Sequence, residues 1–218
     1  MIYFKIKKIL TAVCILALFP VTAFTKPPHP KLPETFLPVP IMRQATDYSC
    51  GAASLLAVLY YWKTYGGTES SLYLSLKTSE EYGTDYKKIG EVAKQFGLEA
   101  QDQENLTLSD LRQALKREET VILDLQAWRD SKNKHIPWSE TWEDGHYVVL
   151  IAMDNHYAYV MDPSAGPGYA YLSLKELLER WHDYENRKGY IQRYYQLGII
   201  IHGQTSLKNF PAPLVRME

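Results

Sequence analysis

Residues 47–62 read Asp-Tyr-Ser-Cys-Gly-Ala-Ala-Ser-Leu-Leu-Ala-Val-Leu-Tyr-Tyr-Trp, and no other stretch limits the fold so tightly. Leu55, Leu56, Leu59 and Trp62 recur at helical spacing, so this segment is expected to be a core helix. Asp47 and Ser49 favour a helix start just before Cys50, and Gly66-Gly67 offers a left-handed stop. The predicted helix therefore runs from Cys50 to about Tyr65. A thiol at its N-terminus meets unpaired N–H groups and the positive end of the dipole, which favour a thiolate. Gln44 lies six positions upstream, where its amide is able to donate to an oxyanion forming beside Cys50. The small residues Gly51, Ala52 and Ala53 are expected to let a substrate backbone approach closely.

A nucleophile needs a base and a group to orient it. Gly145-His146-Tyr147-Val148-Val149-Leu150-Ile151-Ala152-Met153 is followed by a turn at Asp154-Asn155, then by residues 156–162 ending in Asp162. As an antiparallel hairpin centred on Asp154, this brings His146 within a residue or two of Asp162. Opposed side chains in such a pair lie about 4.5 to 5.5 Å apart at Cβ. The carboxylate is thus placed to hold the imidazole.

Gln44 ahead of Cys50-Gly51-Ala52-Ala53, the aromatic Tyr60-Tyr61-Trp62, then Gly145-His146-Tyr147-Val148-Val149 and Asp162-Pro163-Ser164 follow one another in a telling order. Together they resemble the papain-like cysteine peptidases that remove double-glycine leaders from bacteriocin precursors, over residues 38–201. The resemblance implies Cys50 as nucleophile, His146 as general base, Asp162 as its orienter and Gln44 in the oxyanion hole. It also implies an α+β papain-like fold, with N-terminal helices on a mostly antiparallel sheet, and cleavage after paired small residues such as Gly-Gly in an exported polypeptide. In exporters that carry this peptidase it is fused to membrane-spanning and ATPase domains, for which 218 residues leave no room, so a standalone form is expected.

The first residues carry their own message. Lys5, Lys7 and Lys8 precede an apolar run, residues 9–19, and Val21-Thr22-Ala23 follows Pro20. That pattern predicts a signal peptide over 1–23, cleaved after Ala23, since the run falls short of the roughly 20 residues that span a bilayer. The expected mature protein is periplasmic or secreted, without stable membrane insertion. Its formal charge moves from −1 to −4 with the loss of three lysines, and the near-neutral balance argues against a nucleic-acid partner. Of two cysteines, Cys14 lies in the leader, so Cys50 would be an unpaired thiol in an oxidising compartment. The plain alternative is a buried cysteine acting as a small hydrophobe.

Beyond the leader, Pro27, Pro28, Pro30, Pro33, Pro38 and Pro40 make residues 24–40 a linker or surface strap. The peptidase domain is expected over 41–203, and 204–218 as a disordered tail. Within the domain, Thr84-Asp85 caps a helix through Phe96, residues 98–101 form a strand, and Thr107 with Asp110 opens another helix by a capping box. Residues 120–125 read as a buried strand. The long loop 126–144, with Trp128, Trp138 and Trp142, is expected either to cover the substrate or to be pinned by its tryptophans. Residues 169–172 and 198–202 are strands, and Ser173 with Glu176 caps a helix ending at His182, where a cation suits the dipole. His135 in the loop and His156 in the turn are expected at the surface, and His202, in a terminal strand, has no acid nearby in sequence.

The dispersed histidines and single mature cysteine give no ligand pair at metal spacing, and glycine patterns that cradle phosphate are missing, so neither metal nor cofactor is expected. Two other functions share these residues. One is a catalytically silent docking module for an export substrate; the other is an amidase or acyltransferase using the same three groups.

Overall fold

A computed structural model describes residues 30–187 and 189–218. The expected signal peptide over 1–23, and residues 24–29 of the strap, lie outside the described residues. The rest of the strap packs on the domain. Leu37 donates its N–H to the Ile151 carbonyl at 2.9 Å, and Leu37 and Val39 are buried, so the apolar residues between the prolines carry the contact.

Helix α1 (Cys50–Tyr61) buries every residue except Tyr60. It stops four residues before the expected end. Lys63 takes the left-handed conformation at φ 55°, and the N–H groups of Lys63 and Thr64 close on the Tyr60 and Leu59 carbonyls. The reason lies in Trp62, whose indole donates to Thr120 Oγ1 at 3.1 Å and packs against the backbone at Gly203. Seating that ring in the core outweighs the glycine signal at 66–67. Past it, the unpatterned stretch forms a 3-10 turn (Ser70–Leu72) that runs into α2 (Tyr73–Leu76).

Asp85 Oδ1 caps α3 (Tyr86–Gln95) by accepting from the Lys87 N–H, and Gly97, at φ 79°, follows its end. Strand β1 (Glu99–Gln103) leads to α4 (Leu108–Lys116), begun by the reciprocal Thr107/Asp110 capping box. Strand β2 (Thr120–Gln126), the long loop, β3 (Gly145–Met153), β4 (Tyr157–Met161) and β5 (Tyr169–Ser173) follow. Ser173 Oγ accepts from the Glu176 N–H to start α5 (Leu174–Arg180). The chain ends with β6 (His182–Arg187), β7 (Tyr190–Tyr195), β8 (Gly198–His202) and β9 (Leu214–Arg216).

Seven strands form one sheet in the order β1-β8-β2-β3-β4-β5-β9, antiparallel except for β5 with β9, and β6 pairs with β7 as a separate ribbon. The sheet is covered on both faces. Ile122, Val149, Ile151 and Ile199 join α1 and α3 in one apolar cluster; Val121, Leu123, Val148 and Leu150 join α4 and α5 in the other. Strands β2 and β3 therefore read as unbroken apolar runs, because alternate residues enter different cores. Among the described residues, no helix is long and apolar enough to cross a membrane.

Two expectations fail at the C-terminal end. Residues 204–218 are not a disordered tail. Strand β9 pairs with Tyr169–Tyr171, the Pro213 carbonyl accepts from the Tyr169 N–H at 2.8 Å, and Met217 is buried, so the segment covers an open sheet edge. His182 does not end a helix either. It opens β6, is buried, pairs with the Thr141 carbonyl at 2.8 Å and packs on Trp142. Burial lowers its pKa, which opposes the cationic role suggested by a helix end.

Candidate active site

Cys50 is the first residue of α1, and the helix start receives no side-chain cap. Ser49, the natural candidate, turns its hydroxyl to the N–H and carbonyl of Thr46 instead. The first turn thus keeps its dipole and N–H groups directed at the sulfur. Cys50 is 8% exposed and lines a cleft of about 1120 Å³ bounded by Tyr48, Tyr82, Gly145, Tyr147 and Tyr184. Cys50 thus belongs to the apolar cluster under α1 and also lines the cleft, which a cysteine used only as core filler does not do.

His146 reaches this sulfur from β3. Its imidazole is hydrogen-bonded to the Cys50 side chain on one side and, through Nε2, to Asp162 Oδ1 at 2.7 Å on the other. Burial alone pulls the imidazole down, but the charge and hydrogen bond of Asp162, with the sulfur's contribution added, outweigh it and raise His146 to about 10. The rise favours the protonated ring. The register that achieves this differs slightly from a hairpin centred on Asp154. Val149 pairs with Met161, an irregularity follows Leu150, and Asp162 sits one residue past the end of β4.

The Asp162 carboxylate is fully buried and saturated with donors. Besides His146 it accepts from the Ser164 N–H at 2.8 Å and from the Trp128 indole at 3.1 Å. The Ser164 contact is an Asx-type turn written into Asp162-Pro163-Ser164. The Trp128 contact comes from the long loop, whose other tryptophans are pinned as well: Trp138 stacks on Arg129 and Arg180, Trp142 on His182 and Tyr195. Of the two readings for that loop, the pinning one describes these rings, and Trp128 links the loop to the site.

Gln44 belongs to the same cluster. Its N–H donates to the Pro163 carbonyl at 3.3 Å, its Oε1 accepts from Ser164 Oγ at 2.9 Å, and its Nε2 donates to the Thr46 carbonyl at 2.8 Å. One amide hydrogen of two remains after the Thr46 bond. The loop that carries it is held by Glu69, which accepts from the Ala45 N–H at 3.0 Å and from the Tyr73 hydroxyl at 2.9 Å. The structure therefore brings Cys50, His146 and Asp162 together and ties Gln44 to them through Pro163 and Ser164.

The small residues after the thiol serve a different purpose from the one expected. Ala52 and Ala53 are fully buried, and a Cβ on Gly51 would lie 2.6 Å from that of Thr84. Gly51 admits the loop before α3, not a substrate backbone. Sequence reasoning also passed over Ser54, one turn after Cys50 on the same helix face. Its hydroxyl donates to the Tyr147 carbonyl at 3.1 Å, tying α1 to the residue beside His146. A lone serine in an apolar helix was the available signal. Asp124 and Asp183 were missed too, because neither stands near a motif.

The sequence profile of the Peptidase C39 family matches residues 38–185. No curated protein matches the chain. A solved double glycine motif protease from an AMS/PCAT transporter, in complex with leader peptide, is 20% identical with a TM-score of 0.51, over 78% of this chain and 96% of that one. A C39-like peptidase from Bacillus anthracis is 17% identical with a TM-score of 0.56, over 77% and 96%. Both likenesses carry the α+β papain-like fold.

Proposed function

The chain belongs to the peptidase C39 family and is a cysteine-type peptidase, and from that premise we propose that it cleaves an exported polypeptide after paired small residues, Gly-Gly above all. Cys50 is the nucleophile, His146 the acid and base, Asp162 the orienter, and Gln44 with the Cys50 N–H the oxyanion donors. The observation that most supports this is the placement of one imidazole between the Cys50 side chain and the Asp162 carboxylate, with Cys50 lining an open cleft. The resemblance to a protease that binds a leader peptide supports the substrate class. The basic and apolar pattern of residues 1–23 supports export to the periplasm or the medium.

The chemistry runs as an acyl transfer. His146 takes or shares the thiol proton, the sulfur attacks the scissile carbonyl, and the charge that develops on oxygen is met by the Gln44 amide and the backbone N–H. His146 then delivers its proton to the leaving amine as the C–N bond breaks. The neutral ring takes a proton from water, the hydroxide oxygen attacks the thioester, and the C–S bond breaks to release the new carboxyl terminus. Asp162 keeps the ring in one tautomer and orientation throughout.

The test is incubation of the protein with peptides bearing Gly-Gly, Ala-Ala and bulky pairs at the same position, and mass spectrometry of the products. New termini after Gly-Gly, absent with Cys50→Ala, are expected. Cleavage that persists in Cys50→Ala, or a preference for bulky pairs, refutes the reading. No cleavage alongside Cys50-dependent release of a non-peptide amine moves the assignment to an amidase.

A further inference from the structure

The profile match ends at residue 185, inside β6, so most of the β6–β7 ribbon lies past it. Asp183, Tyr184 and Tyr194 of that ribbon nevertheless line the Cys50 cleft. The ribbon is fastened to the sheet by polar groups. Asp124 on β2 is 1% exposed and its Oδ2 accepts from the Tyr194 hydroxyl at 3.2 Å. Asp183 Oδ1 accepts from Gln126 Nε2 at 3.0 Å, and the same Nε2 donates to the His182 carbonyl at 3.1 Å. Between these bonds the carboxyl groups of Asp124 and Asp183 meet each other.

Asp124 Oδ1 receives no hydrogen from any described group. Two ionised carboxylates in contact, Asp124 buried and Asp183 half-buried, repel, and neither has a hydrogen to offer the other. A single proton between them turns the contact into a bond and accounts for the orphaned oxygen. Burial, with the Asp183 charge added, pushes Asp124 well above the usual carboxylate range, while burial raises Asp183 to about 6. The groups facing the pair are Cys50 of α1, Tyr147 of β3, Tyr194 of β7, Glu185 of β6 and Glu143 of the preceding loop. Each is neutral or acidic, so none of them removes the need for the proton. Gly145 leaves the space: a Cβ there would lie 2.2 Å from Asp183 Oδ2.

We propose that Asp124 and Asp183 share one proton and that this acid–carboxylate bond docks the β6–β7 ribbon as a wall of the cleft beside Cys50. Both are positioning residues, and the inference rests on the peptidase reading only where it speaks of turnover. Loss of the shared proton at alkaline pH leaves two negative charges in contact, one of them fully buried, and lifts the ribbon before the sheet unfolds.

The test follows amide hydrogen exchange of residues 190–195 and the rate of Cys50 alkylation by iodoacetamide against pH, in the parent protein and two variants. In the parent, protection of the ribbon is expected to fall in one step above neutral pH, after correction for intrinsic exchange. Asp183→Asn supplies a permanent hydrogen, so the step disappears and protection stays. Asp124→Ala removes the bond, so protection is lost at every pH, and kcat/KM falls by up to about a hundredfold, mostly through KM. A step unchanged in Asp183→Asn, or a ribbon indifferent to Asp124→Ala, overturns the proposal. Should Asp124→Ala fail to fold, carbon-13 carboxyl titration of the parent decides: no aspartate holding its proton at pH 7 also overturns it. Exchange and alkylation need no substrate, so failure of the peptidase reading leaves them interpretable. Cys50-dependent cleavage with an indifferent ribbon sinks this inference alone.

Discussion

In the β3–β4 hairpin a buried acid, Asp162, meets a base at 2.7 Å; at the β6–β7 ribbon a buried acid, Asp124, meets another acid, the half-buried Asp183. Asp162 and Asp124 are both withdrawn from water. The partner's sign decides the outcome. Beside the Asp162 charge the protonated ring is favoured despite burial, so His146 is raised to about 10 next to the nucleophile. Like charges cannot both remain, so Asp124 keeps its proton and becomes a donor. One pair stores charge for chemistry and the other stores a hydrogen bond for architecture. The two stand on neighbouring strands, since Tyr147, next to His146, is the register partner of Asp124.

The sharpest way to break this contrast is to remove the charge from the first pair. Asp162→Asn keeps a polar group of the same size but is expected to cost about 10⁴ in kcat on a peptide the parent cleaves. The His146 ring should also lose most of its rise, read by proton NMR titration. Activity within tenfold of the parent would make the two pairs alike in kind. Gln44→Ala comes next, with a fall of about 10² to 10³ in kcat and little change in KM if its amide serves the oxyanion. A change confined to KM assigns Gln44 to holding its loop.

The pH dependence of stability separates the pairs without any substrate. Asp183, at about 6 against its ordinary 3.8, and His146, at about 10 against 6.5, both bind protons more tightly in the folded chain. Each contribution is complete below the unfolded value and is lost as pH rises through the folded one. Urea unfolding midpoints should therefore drop in two windows, about 4 to 6 and about 6.5 to 10, with Asp124 adding its loss at higher pH than Asp183. Asp183→Asn should erase the first window and Asp162→Asn the second; a single window common to both variants contradicts the separation. The smallest effect is expected for Ser54→Ala, which removes the tie between α1 and Tyr147. It should cost about 1 kcal/mol in urea unfolding and a few-fold in kcat. No loss of either would make the tie incidental.

Much of the first pair is legible in the chain itself. Asp162-Pro163-Ser164 encodes its own turn, and Gly145 to Met153 is long and apolar enough to be a central strand, so His146 and Asp162 come together through a short hairpin. The second pair gives no such sign. Asp124 and Asp183 lie 59 positions apart, and Asp183 falls where the sequence suggests only the end of a helix. An acid inside the apolar run 120–125 was the one hint, and nothing local names its partner. Trp128 is similar: its loop is visibly unusual, yet only the folded chain points the indole at Asp162.

What the amino-acid order determined by itself was everything settled within a turn or a hairpin: the helix that starts at Cys50, the caps at Asp85, Thr107 and Ser173, and the paired strands around Asp154. Those outcomes depend on hydrogen bonds and side-chain spacing among near neighbours, which a short window contains in full. Tertiary structure alone decided that α1 ends at Tyr61, that residues 214–216 become an edge strand, and that two aspartates far apart in the chain meet. Each of these follows from filling both faces of one sheet at once, where the free energy of burying Trp62 or covering an open edge outweighs the local preference.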